Sequence, residues 1–353
     1  MAQCYINGIG SVSTQDTSNY KAFLKNHQEL KENIVHVHKP NYRDYIKPAS
    51  IRRMANGVKN GVVASAIALK EAAIETPEAI ITGTGMGCTI DSGKFLKNIV
   101  DNNEQYLTPT AFIQSTHNTV GGQIALGLQC KAYNVTYVHN ATSFETALID
   151  ALLMINDNQT TILVGGVDEI GDYSVSLHQL VGLVKEQDTM SNGILQSNSK
   201  GTIYGEGAQF FALENKKKDT AYAELVDVSI HDSIQDNEVQ TRLLTFLKNH
   251  ELKATDLDLV ILGNNGDEEY DKHYNKLQNS IFKDTQQIYY KHLSGEYHTA
   301  SSFGLWMAAQ ICKTQKIPEF LKLNTKKVTA IKHLLLYNQY RGENHSFTLL
   351  RSC

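Results

Sequence analysis

The chain has 353 residues, enough to bury one large core or two similar units. A composition of 41% hydrophobic and 20% charged residues is that of a globular protein, and a net charge of −4 gives no general attraction to nucleic acid or to an anionic membrane. The five cysteines (Cys4, Cys88, Cys130, Cys312 and Cys353) are far apart, form no CxxC pair and are odd in number; this argues against a zinc site or a disulfide framework and for a reducing cytoplasm. No apolar run approaches the roughly 20 residues that span a bilayer, and the first residues lack the charged and apolar regions of a signal peptide.

In chain order, Tyr5 to Gly10 reads as a short strand running into a turn, followed to Ser50 by a region too rich in Lys, His and Asn to be core. Met54, Val58, Val62, Ala66, Leu69 and Ala73 recur at helical spacing, and Thr76-Pro77 closes that helix. Ala79 onward is a strand entering Gly83-Thr-Gly-Met-Gly87. This GxGxG spacing is neither a dinucleotide nor a Walker loop, and it indicates instead a close backbone approach between elements. A small-residue helix from Val120 to Leu128 carries two adjacent glycines, each costing about 1 kcal/mol against alanine, so tight packing is expected around it.

The stretch around residue 140 organises the first half. Val135 to Val138 suits a buried strand; Phe144, Ala147, Leu148, Ala151, Leu152 and Ile155 mark a helix; Thr161 to Gly166 forms the next strand. In a βαβ unit of this kind the strand-to-helix turn is where a reactive side chain is presented, and Asn140-Ala141 occupies that turn. Thr142 and Glu145 fit a capping box, and Asn140 is itself a favoured N-cap residue. A glycine turn and strand run from Gly201 to Glu214. The charged Lys216-Lys-Lys-Asp-Thr220 then marks a boundary between residues 1–215 and 216–353. Beyond it, strands are predicted at 223–230, 257–262, 287–290, 334–337 and 346–350, with helices near 239–249, 270–282 and 299–313. The shared rhythm of the two halves points to an internal duplication and to mostly parallel sheets covered by helices.

Taken in order, Tyr5-Ile-Asn-Gly-Ile-Gly, Pro109 to Asn118, Asn140-Ala-Thr-Ser, Leu163-Val-Gly-Gly-Val-Asp168, Tyr204-Gly-Glu-Gly-Ala208, Lys291-xxx-Gly295 and Gly342-x-Asn344 resemble the β-ketoacyl synthases of the thiolase-like superfamily over nearly the whole chain. The resemblance implies an α/β fold of five layers, αβαβα, made of two similar halves. It also implies a dimer whose interface includes the strand leading into the Asn140 turn. Synthases of this family use a cysteine on that turn and two histidines farther along. The matching positions here are Asn140, Asn265 and Glu296, the last in Lys291-His-Leu-Ser-Gly-Glu where the family has histidine; His273 lies too far along to substitute. An amide is not an acyl-accepting nucleophile, and without the histidines the decarboxylating enolate loses its stabilisation, so no catalytic residue is expected. Lys291, His139 and Ser143 are candidate supporting residues. No cofactor and no metal are expected.

Such a chain resembles the chain-length factors, inactive synthase relatives that pair with an active β-ketoacyl synthase and work on an acyl carrier protein. The alternative is a stand-alone thiolase-fold acyltransferase or hydrolase, with Ser143, His139 or His298, and a glutamate drawn as a triad. Phe112, Phe144 and Met307 are candidates either for a tunnel wall or for plain core.

Overall fold

The computed structural model describes residues 2–186 and 190–353. Ten strands form one hydrogen-bonded order made of two five-stranded sheets: β1 (Tyr5–Val12), β2 (Ala79–Gly83), β3 (Tyr133–Tyr137), β4 (Thr161–Asp168), β5 (Gly207–Glu214), β6 (Ala223–Asp232), β7 (Leu259–Leu262), β8 (Gln286–Tyr289), β9 (His333–Tyr340) and β10 (Asn344–Arg351). Their spatial order is 3-2-4-5-1 and then 6-10-9-7-8. Read from each outer edge inward, both sets follow the same sequence of pairings. Three parallel strands, β3-β2-β4 or β8-β7-β9, are followed by one reversed strand, β5 or β10, and then by the first strand of the set. The sets meet where β1 and β6 pair antiparallel, Tyr5 with Glu224 and Ile6 with Ala223.

Strand alternation builds the layers, because successive side chains point to opposite faces. In β2 and β4, Ile81, Ile162 and Val164 turn to the middle of the molecule. There they meet Phe144, Ala147, Leu148 and Ala151 of helix α2 (Ser143–Asn156) and Phe303 and Met307 of helix α4 (Ser301–Thr314). Ile80 and Leu163 turn outward to Val58, Val63 and Ala68 of helix α1 (Asn56–Ala72). The second half repeats this: Leu259, Ile261, Leu334 and Leu336 face the middle, while Val260, Leu262 and Leu335 face Leu243, Phe246 and Leu247 of helix α3 (Glu238–Asn249). The result is α1, sheet, α2 with α4, sheet, α3, which is the five-layer αβαβα arrangement. The first turns of α4 are buried on every side, as befits a helix between two sheets. Among the described residues no helix is long and apolar enough to cross a membrane.

The sheets expected to be mostly parallel are mixed, with β5, β1, β6 and β10 paired antiparallel, and the strand expected to be buried at Val135 to Val138 is exposed to half-buried. Two further sequence expectations change. The polar stretch before Ser50 is not all surface: Phe23, Leu30, Val37 and Ile46 are buried, anchoring a long loop at intervals that periodicity does not reveal. Of the paired glycines in the helix Thr119–Leu128, Gly121 is the tightly packed one, since a Cβ there would stand 2.7 Å from Asn134 Oδ1 and 2.8 Å from Thr82 Oγ1; Gly122 meets nothing within 4 Å.

The outer edges of the two sets differ. β8 is capped by the chain itself: Ile288 bridges Lys322, the Leu323 N–H donates to the Gln287 carbonyl at 2.9 Å, and the Gln287 N–H donates to Asn324 Oδ1 at 2.9 Å. β3 pairs only with β2 among the described residues, and its strand is exposed to half-buried. Apolar side chains surround that bare edge: Tyr133 on β3, Val138 just beyond it, Leu126 and Leu153 on the flanking helices, the last two 70% and 59% exposed.

Candidate functional site

β3 ends at Tyr137, and a single 3-10 turn, Asn140–Thr142, leads straight into α2. Asn140 is exposed and has φ of 45°, the left-handed region that a side chain beyond glycine rarely adopts. Ser143 holds this bend. Its Oγ accepts the His139 N–H at 2.8 Å and donates to the Asn140 carbonyl at 2.7 Å, while the Thr142 hydroxyl bonds His139 Nδ1 at 2.9 Å and the His139 carbonyl at 3.2 Å. The start of α2 lies so close to β2 that a Cβ on Gly83 would stand 2.7 Å from the Phe144 backbone, which is the close approach the glycine pattern predicts.

The expected capping box does not form. Thr142 makes no cap hydrogen bond, and Glu145 turns into the interior, where its Oε1 accepts from Ser346 Oγ of β10 at 2.9 Å. Burial on the inner face of α2 pushes its carboxyl above the usual range. The competing partner is a side chain 201 positions away, and Ser143 takes over as staple for the turn.

Asn265 and Glu296, which the resemblance sets at the two histidine positions, are brought together. Asn265, in the loop after β7, donates from Nδ2 to Glu296 Oε2 at 2.6 Å, and Lys291 Nζ reaches the same oxygen at 2.6 Å. All three side chains are buried. Asn265 Oδ1 accepts the Asp267 N–H at 3.1 Å, so both ends of the amide are engaged. Asp271 clamps the loop from behind through the Asn265 N–H at 3.1 Å and the Gly266 N–H at 2.9 Å; burial raises its carboxyl to about 6. The cluster is a closed network in which each charge has a partner, the condition under which a buried ion pair is tolerated.

The space above it is nearly filled. Asn265 and Glu296 open onto a cavity of about 20 Å³, room for about one water molecule, walled by Tyr204, Tyr340 and Arg341. His298 and His178 thicken this wall, with ring centroids 5.3 Å from Tyr340 and 5.0 Å from Tyr204 respectively. Tyr340 and Arg341 belong to the tight hairpin between β9 and β10, whose turn is made by Arg341 and Gly342 at φ of 54° and 67°.

Asp168, at the end of β4, ties the two halves at this level. One carboxylate oxygen accepts the Thr84 hydroxyl at 3.1 Å and the Gly85 N–H at 2.9 Å; the other accepts the Thr299 N–H at 2.9 Å and its hydroxyl at 2.8 Å.

The other candidates are dispersed. No hydrogen bond among the described residues joins the Asn140 side chain to the Asn265, Glu296 and Lys291 cluster. His139 is largely exposed, its Nε2 4.0 Å from Asp232. His273 pairs with Asp236 at 3.1 Å, away from the cluster. The drawn triad is not assembled, since the Ser143 hydroxyl donates to the Asn140 carbonyl and Glu296 is held by Asn265 and Lys291. Phe144 and Met307 belong to the central core and Phe112 is exposed, so the three share no wall. Sequence reasoning passed over Tyr204, Tyr340, Arg341 and Asp271; Tyr204 lies inside a quoted motif and Tyr340 just before another, but nothing local signals that they converge. Among the described residues no group of three or more His, Cys, Asp or Glu is placed to hold a metal ion.

This architecture, one αβαβα fold of two similar halves with a strand-to-helix turn in one and paired loops in the other, is the thiolase-like class. Residues 25–219 match the family model for the β-ketoacyl synthase N-terminal domain, more than half of the chain, and the protein belongs to that family. Among solved structures it is similar to the ishigamide ketosynthase/chain length factor (14% identity, TM-score 0.81, covering 100% of this chain and 99% of that chain). It is also similar to the ketosynthase ApeO in complex with its chain length factor ApeC from Xenorhabdus doucetiae (13%, 0.78, 100% and 98%). A third is AntDE:AntF, a type II polyketide synthase acyl-carrier protein in complex with its ketosynthase bound to the hexaketide (14%, 0.77, 100% and 100%). At these identities the likeness is one of fold. A search of curated protein sequences gave no match.

Proposed function

We propose that this chain is the non-condensing, chain-length-factor-type subunit of a heterodimeric β-ketoacyl synthase that elongates a polyketide, aryl polyene or related acyl chain on an acyl carrier protein. The observation that carries this reading is the cluster of Asn265, Glu296 and Lys291 beneath a cavity of about 20 Å³. A condensing site needs a nucleophile and donors aimed at a developing oxyanion. Here the turn bears an amide, the donors are committed to one another, and a thioester has no room. The fold around those seats is kept, and the bare β3 edge with its apolar surround is a surface built for pairing. Two of the similar structures contain a ketosynthase and a chain length factor, and a third holds an acyl-carrier protein. We assign the division of the chain near residue 215 to the same logic, each half being one repeat of the fold.

Co-expression with an active synthase retaining Cys, His and His tests this. The two chains are expected to purify as a 1:1 complex, with condensation seen only in the complex. Intact-mass measurement of this chain alone after incubation with acyl thioesters is expected to show no adduct; a covalent acyl group on it, or a partner fully active by itself, would refute the proposal.

A further inference from the structure

A second cavity, sharing no lining residue with the first, lies between the short helix Tyr20–Asn26, α1 and the C-terminal end of α4; its volume is about 600 Å³. Leu24, Ile67 and Trp306 give it apolar walls. Along α4, Trp306, Gln310 and Lys313 stand at i, i+4 and i+7 on one face, so within about 10 Å the wall passes from indole to amide to ammonium. Gln310 is only 8% exposed, yet its side-chain amide makes no hydrogen bond among the described residues. Lining the cavity, the amide is open to a polar group that enters, with no bond inside the protein to break.

The mouth is cationic. Lys21 and Lys316 line it and form no ion pair among the described residues. Lys313 donates to the Thr220 carbonyl at 2.8 Å and sits 3.8 Å from the Tyr222 ring centroid. The one carboxylate in the wall, Glu71, is already engaged by the Ile9 N–H and the Tyr222 hydroxyl. An apolar interior, a free amide and unmatched lysines at the rim complement an amphiphile with one negative end.

We propose that this cavity binds a long-chain carboxylate, its alkyl chain against Leu24, Ile67 and Trp306 and its carboxylate at Gln310 and the lysine mouth. The inference does not depend on the subunit role proposed above. Trp306 is the single tryptophan of the chain, so its emission reports the cavity directly. Titration of the whole chain with dodecanoate, below its micelle concentration, is expected to change that emission along a saturable 1:1 curve, with dodecanol binding at least 10-fold more weakly. The double variant Lys21→Gln, Lys316→Gln alters only exposed side chains, and it is expected to keep the thermal midpoint while weakening dodecanoate at least 10-fold. Equal affinity for acid and alcohol, an unaffected double variant, absence of a saturable change, or tighter binding of dodecyl phosphate than of dodecanoate would each overturn the assignment.

Discussion

The two halves share one topology and treat the same topological positions in opposite ways. In the first half the outer strand β3 is uncovered and the turn after it is exposed at Asn140; in the second, β8 is capped by residues 322–324 and the loop after it is sealed around Lys291 and Glu296. The contrast extends to surface chemistry. Among the described residues, all the exposed large hydrophobics but Tyr45 and Leu244 lie between Met86 and Met190. The repeated topology thus leaves one edge open and apolar and one interior closed, the open edge being the face that the proposed function uses for association. An edge strand with an apolar surround is a pairing template, whereas the same strand covered by its own chain serves only stability.

The strongest way to break the closed half is Glu296→Gln, which leaves the Lys291 ammonium buried without its counter-charge. Loss of about 3–5 kcal/mol is expected in chemical denaturation; a change below 1 kcal/mol would mean that Lys291 escapes to water. Ile288→Ala on β8 removes a fully buried side chain and should cost about 2–5 kcal/mol with partner affinity unchanged. The reverse is expected at the open edge. Leu126→Glu with Val138→Glu should leave the thermal midpoint nearly unaltered and weaken partner binding at least 100-fold, about 2.7 kcal/mol, in analytical ultracentrifugation.

Each half also carries a buried carboxyl that clamps backbone N–H groups, and the two are expected to titrate in different windows. In the first half, Glu169 accepts from Gly57 and Ile90, and burial lifts it to about 7; in the second, Asp271 stands at about 6. Both folded values lie above the ordinary ones, so protonation favours the fold. The Glu169 contribution is complete below about pH 4.5 and lost as pH rises through about 7, a span of roughly 3 kcal/mol. Glu169→Gln should flatten stability over that window, and Asp271→Asn over the range from 3.8 to about 6, both followed by urea midpoints across pH. The smallest effect expected is from Ser143→Ala, which removes the staple of the Asn140 bend at a cost of about 1 kcal/mol and leaves the closed half untouched.

How much of this was readable beforehand depends on the distance between the residues involved. Hydrophobic periodicity placed α1, α2 and α4 and most strands within a few residues, because period 3.6 and period 2 are local properties. The order of short motifs was enough to reach the family, whose resemblance sets Asn140, Asn265 and Glu296 at the positions of the expected cysteine and histidines. The helices Thr89–Asp101 and Asp172–Leu180 were passed over; the first buries no residue and the second only Ser174 and Val175.

The sequence by itself determined the five-layer fold and the residue types at the three seats. Only the tertiary structure decided what those residues do to one another: that Glu296 gathers Lys291 and Asn265 on a single oxygen, that Glu145 abandons its cap for Ser346, and that Tyr204 and Tyr340 converge on a cavity of about 20 Å³. The reason is physical. These contacts join segments from 5 to 201 positions apart across two sheets, and burial, which no local pattern encodes, chooses among the partners.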